Sequence, residues 1–169
     1  MMKRIGLLAA AVTLLFTAAC AEPRDKETGQ QTAQEERTEM SRTEERHETP
    51  VLVIEANGKR LYAVLEDNSS ARAFIEKLSA GPVEVQAHDY GHFEKVGSLP
   101  WSLPRNDTRI TTVPGDVILY EGDQITVYYD SNTWSFTRLA RIGDTTKEAL
   151  LEILGEGDVT LTLWVEWNE

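Results

Sequence analysis

The chain has 169 residues, with 28 acidic against 17 basic side chains and one cysteine. A net charge of −11 repels phosphate backbones and anionic lipid, which excludes nucleic acid as a partner and charge-driven adhesion to a membrane. A lone thiol excludes internal disulfides, so stability must come from apolar burial.

The first twenty residues form a unit. Lys3 and Arg4 open it, Ile5 to Phe16 are almost wholly apolar, and Thr17-Ala18-Ala19-Cys20 closes it with small residues. This is the pattern of a secretory signal peptide, whose apolar run is too short to span a bilayer comfortably. With Cys20 at its end, the segment resembles the lipobox of bacterial lipoproteins, although Thr17 stands where Leu is usual. The resemblance implies a signal peptide over residues 1–19, cleavage before Cys20 and a diacylglycerol thioether on that cysteine. It also implies a lipid-anchored protein of the bacterial cell envelope. Ala21 rather than Asp after the cysteine points to the outer membrane if the cell is Gram-negative. The rival is cleavage after Ala21, using Ala19-Cys20-Ala21 as an A-x-A site, which leaves no cysteine.

Residues 20–50 read as a tether. Beyond Met40 and a few alanines the segment is polar and charged, and such a stretch cannot bury enough surface to offset its chain entropy. Pro50 marks the boundary with a single domain over residues 51–169, which carries ten basic and nineteen acidic side chains, or −9. Val51-Leu52-Val53-Ile54 predicts a strand, Asn57-Gly58 a hairpin turn, and Leu61 to Leu65 the returning strand. Asp67-Asn68-Ser69-Ser70 offers N-cap chemistry to a helix with Ala71, Phe74, Ile75 and Leu78 at helical spacing. Gly81-Pro82 stops it. Val83, Val85 and Ala87 alternate with polar residues as a half-buried strand, and Tyr90-Gly91 turns into Phe93-Glu94-Lys95-Val96.

Residues 98–114 read as a long loop, with Pro100, Pro104 and Pro114, and loops of this length often carry function. Val117 to Tyr120 and Gln124 to Tyr129 pair across Glu121-Gly122-Asp123. Phe136 to Ile142 is a further strand. Thr145-x-x-Glu148 reads as a capping box for a helix ending at Leu154. The last strand alternates Val159, Leu161, Leu163, Val165 and Trp167 against Thr160, Thr162, Trp164 and Glu166. About eight strands and two short helices predict a mainly β fold, a closed antiparallel barrel.

Four segments resemble the bacterial cyclophilin-like domain family. They are Leu65 to Phe74, Tyr90 to Pro100, Pro114 to Tyr120 and Ser135 to Gly143, and their order and spacing carry the resemblance more than any one of them. The resemblance implies a cyclophilin-type barrel and no settled activity. True cyclophilins set an arginine in a Phe-His-Arg context, whereas His92-Phe93-Glu94-Lys95 has another order and a carboxylate instead of a guanidinium.

No catalytic residue and no cofactor is assigned. His88, Asp89, His92 and Glu94 gather around one turn, but read better as a polar hairpin tip than as metal ligands. The serines lack a nucleophile motif such as Gly-x-Ser-x-Gly. Glu94 and Lys95 alternate to opposite faces of their strand. The more suggestive set is Tyr90, Trp101, Tyr129, Trp134 and Arg138, aromatics with one cation that suit a recognition surface. The expectation is a lipid-anchored, non-catalytic binding module for a peptide, a small molecule or an envelope protein. The alternative is a prolyl isomerase or other enzyme using the barrel face.

Overall fold

A computed structural model describes residues 49–168. The signal sequence, Cys20 and the spacer through residue 48 lie outside the described residues. Among the described residues the chain forms β1 (Thr49–Ala56), β2 (Lys59–Leu65), α1 (Ser69–Leu78), β3 (Val83–Tyr90), β4 (Glu94–Ser98) and β5 (Thr108–Thr111). Then follow β6 (Asp116–Tyr120), β7 (Gln124–Tyr128), β8 (Thr133–Ile142), α2 (Lys147–Leu154) and β9 (Val159–Asn168). The strands pair antiparallel in the order β2-β1-β9-β3-β4-β7-β6-β8, and β2 closes on β8 through Ala63↔Ile142 to Leu65↔Ala140. Eight of the described strands thus make the expected closed barrel, and β5 is added to the first half of β8.

The local chemistry explains the elements. Asn57 and Gly58 both have positive φ, 51° and 73°, as a two-residue type I′ turn between β1 and β2 requires. Asn68 caps α1, its Oδ1 accepting from the Ala71 amide at 2.8 Å, while its Nδ2 donates to the Arg138 carbonyl at 2.9 Å. One polar side chain therefore starts the helix and ties it to β8. Phe74 and Leu78 of α1, with Leu150 and Leu154 of α2, join Leu52, Leu119 and other aliphatics in the barrel core.

Four readings of the sequence change. The cap of α2 is Thr146 and not Thr145: Thr146 holds the extended backbone of an N-cap and its Oγ1 accepts from the Ala149 amide at 3.2 Å. The loop at 98–114 contains β5, whose Ile110 is its one apolar residue and gives the sequence little to signal a strand. Its remainder is pinned: Leu99 donates to the Asp123 carbonyl and Leu103 to the Gly122 carbonyl, each at 2.7 Å, and the Asn106 amide donates to Thr137 Oγ1 at 2.8 Å. The first strand begins at Thr49, with Thr49↔Asn168 and Pro50↔Trp167 pairs to β9, so two residues assigned to the tether belong to the barrel. Pro50 fits there because it lies at the strand's start, before the β2 pairing begins at Val51. In β9 Val159, Leu161 and Leu163 are buried, but Trp167 is half exposed as the strand leaves the core.

Candidate functional site on the outer barrel wall

On most barrels the outer wall is polar. Here a second apolar cluster lies outside the first. Ile118 stands between Val117 and Leu119, both in the barrel core, and Tyr128 between Val127 and Tyr129, also in the core. Strand alternation therefore turns Ile118 and Tyr128 outward, where they join Phe136. Phe93 stacks on Tyr128 with centroids 6.0 Å apart, and Phe136 tilts against Tyr128 at 5.6 Å. Tyr90 meets Phe93 edge-on at 5.8 Å, and Tyr120 meets Phe136 in the same way at 6.2 Å. Five rings from β3, the β3–β4 turn, β6, β7 and β8 form one continuous aromatic layer.

Above it lies a cavity of about 360 Å³. His88 and Tyr90 of β3 and Glu94 and Val96 of β4 line one side. Tyr120, Gln124, Tyr128 and Phe136 form the rest of the wall, with Asn132 just before β8 and Trp134 near its start. Tyr90 and Trp134 stand at the rim, each 57% exposed.

Glu94 is the chemical centre of this cavity. In the ladder it pairs with Tyr90 on one side and Tyr128 on the other. The residue is only 7% exposed, and its Oε2 is buried with no hydrogen-bond partner among the described residues. Burial raises its carboxyl above the ordinary value, and the Tyr128 hydroxyl and the nearby His88 offset this only in part. Burial, with Glu94 alongside, also pushes the Tyr128 phenol far above its usual range. An unpaired buried carboxyl is costly, of order 1–3 kcal/mol or more, and such groups cluster where ligands bind.

The five residues singled out from the sequence do not all converge. Tyr90 and Trp134 line the cavity. Trp101 instead packs edge-on against Phe74 at 5.9 Å, against the core beside α1. Tyr129 lies inside the barrel, its hydroxyl donating to Asp89 Oδ2 at 2.7 Å, with the Lys95 and Lys147 ammonium groups 5.5 and 5.6 Å from its ring centre. Arg138 faces the outer wall but is committed to Asp116, which is fully buried. Its Nη2 donates to Asp116 Oδ2 at 3.2 Å, while Arg141 Nε donates to Oδ1 at 2.9 Å. Arg138 Nε lies 3.1 Å from Oδ1 as a charge contact without hydrogen-bond alignment.

The polar turn divides in the same way. His88 and Glu94 serve the outer cavity, while Asp89 turns inward to Lys95, whose Nζ donates to it at 2.7 Å and to the Gly157 carbonyl at 2.7 Å. Burial opposes ionisation of Asp89, yet the hydrogen bonds from Lys95 and Tyr129 and the Lys95 charge hold its carboxyl below the ordinary value. Among the described residues no three potential metal ligands gather. A second cavity of about 300 Å³ is lined by Asp89, His92, Tyr129 and Lys147, of which Asp89 pairs with Tyr129 and His92 while Lys147 pairs with Asp130 outside it.

The barrel, its closure and its two helices agree with a comparison of the sequence with known families. The model of the cyclophilin-like family matches residues 54–164. The chain belongs to the cyclophilin-like family. No curated protein matches it. Within this cyclophilin-like barrel the cavity residues that the sequence reading did not single out are Val96, Tyr120, Gln124, Tyr128, Asn132 and Phe136. Spacing of two was the available signal: His88/Tyr90, Glu94/Val96 and Gln124/Thr126/Tyr128 are each one face of a strand. What joins those faces is the β4–β7 register, Glu94↔Tyr128, between segments far apart in sequence.

Proposed function

We propose that this cyclophilin-like protein is a non-catalytic binding module, held on the bacterial cell envelope by lipid at Cys20, with the outer-wall cavity as its ligand site. The observation that carries the binding role is a concave aromatic site around a carboxyl oxygen that nothing in the described residues satisfies. Concave sites that combine aromatic walls with converging polar groups, here His88, Glu94, Gln124 and Asn132, are a common form of small-ligand site. Isomerisation of a prolyl bond needs a cation beside an apolar pocket to polarise the imide. Arg138 is not among the cavity's lining residues, and its guanidinium is engaged by Asp116. Membrane attachment rests on the lipobox resemblance and on the acidic charge, which leaves acyl chains as the means of holding to an anionic surface.

The test is a fragment screen of the lipid-free chain by amide chemical-shift mapping. Hits should perturb Tyr90, Glu94, Tyr128 and Trp134 together, and Trp134→Ala should weaken them while leaving the melting temperature unchanged, since Trp134 is mostly exposed. Hits that gather elsewhere, or acceleration of the cis-to-trans phase of an Ala-Pro peptide that Arg138→Ala abolishes, would overturn the reading.

A further inference from the structure

The geometry points to a protonated primary amine carried on an apolar body, such as an arylalkylamine, as the ligand class of the outer-wall cavity. The inference rests on the proposal that this cavity binds ligands at all. Three observations select the class. First, Glu94 Oε2 is buried and makes no hydrogen bond among the described residues, with the Tyr128 hydroxyl as the nearby donor group, and Glu94 lies between Tyr90 and Tyr128 in the ladder. A ligand that completes this site must bring a donor, and a charged N–H donor to a carboxylate gives the stronger bond.

Second, the surrounding rings are suited to a cation. Tyr90, Tyr120, Tyr128, Trp134 and Phe136 line the same cavity as Glu94, and aromatic rings attract ammonium groups. Third, no lysine or arginine lines the cavity or competes for the carboxyl among the described residues. Arg138 and Arg141 are held by Asp116, and Lys95 is turned to the opposite face of β4 with Asp89 and Gly157. His88 is the one lining side chain able to carry positive charge, and it is a neighbour rather than a hydrogen-bond partner of the carboxyl. The domain's excess of acidic side chains adds a long-range attraction for cations.

A quaternary ammonium fits this picture less well, because it satisfies the rings but offers no N–H to Oε2. The cavity of about 360 Å³ has room for a ring and a short alkyl arm.

The experiment titrates the lipid-free chain with 2-phenylethylamine, its neutral counterpart 2-phenylethanol and its trimethylammonium analogue, by calorimetry and shift mapping. The amine should bind at least about tenfold more tightly than the alcohol, with the trimethylammonium compound between them. Glu94→Gln should remove that preference, weakening the amine about tenfold and the alcohol less than about twofold. Should Glu94→Gln fail to fold, the order of the three ligands on the natural chain decides alone. Amine and alcohol binding equally in the cavity would overturn the amine assignment and leave the binding site standing. Absence of any shift at Tyr90, Glu94 and Trp134 with all three, together with fragment hits elsewhere, would overturn both.

Discussion

Glu94 sits on the outer wall of a barrel, where a carboxylate would ordinarily meet water. The aromatic layer of Tyr90, Phe93, Tyr128 and Phe136 removes that water, and burial raises the carboxyl's pKa above its ordinary 4.5. A carboxyl whose folded pKa exceeds its unfolded one contributes stability at low pH that is lost as pH rises through the folded value. The natural chain should therefore lose stability as pH climbs from about 4.5 through that raised value. Glu94→Gln should abolish this loss and raise the melting temperature at neutral pH, each kcal/mol being worth roughly 3–6 °C in a domain of this size. Melting curves of both proteins across pH 4 to 8 check this; parallel curves would mean that Glu94 is solvated. Asp89, partly buried behind the same turn, has the opposite sign. Its lowered pKa stabilises the fold above the ordinary carboxylate range, and that contribution is lost as pH falls through the lowered value.

At the scale of elements, β4 is short but sets the site, because Glu94 and Lys95 leave it on opposite sides and both are buried. Its fit to β3 depends on Gly97. A Cβ there would fall 2.4 Å from Val85 Cγ1 and 2.6 Å from the Gln86 carbonyl oxygen, which is backbone and cannot swing away. Gly97→Ala should thus force β3 and β4 apart and destabilise the fold by about 1–3 kcal/mol. Urea unfolding should show a lower midpoint at unchanged slope. Strand β8 has its own device. Val117 pairs with Ala140 and Ile118 with Arg138, so Leu139 is the extra residue of a bulge. Leu139 and Ala140 both join the core, and Arg141 comes to lie opposite Asp116. These elements also mark what could be read in the chain. The strands with one apolar face, the Asn57-Gly58 turn and both helices were legible because local chemistry specifies them. The opposite facing of Glu94 and Lys95 was legible from alternation alone. The burial of Glu94 was not, because it depends on aromatics that only the pairing of β4 with β7 and of β6 with β8 brings together. Trp101 misled for a related reason: a loop aromatic looks free until Phe74 is placed beneath it.

For the whole molecule, the proposed membrane attachment has to hold an acidic barrel. The domain carries −9 and residues 21–50 a further −4, so an anionic bilayer repels both. Among the described residues no helix is long and apolar enough to span. The proposed lipid on Cys20 answers this, since acyl chains contribute about 0.8 kcal/mol per buried CH₂ and two or more together anchor stably. Attachment should then resist high salt, because screening weakens repulsion and leaves the acyl term untouched. Cys20→Ser should either release the chain to the soluble fraction or stall its processing. A mature chain that begins at Glu22 by mass spectrometry would sink the anchor. The barrel itself should not need the tether. A chain starting at residue 47 should melt with the full lipid-free chain, as the spacer has almost nothing apolar to contribute. A chain starting at Val51 should melt a few degrees lower, because it deletes Thr49 and Pro50 and with them the pairs to Asn168 and Trp167. If instead the chain from residue 47 melts far below the full one, the spacer packs on the barrel and acts as more than a tether.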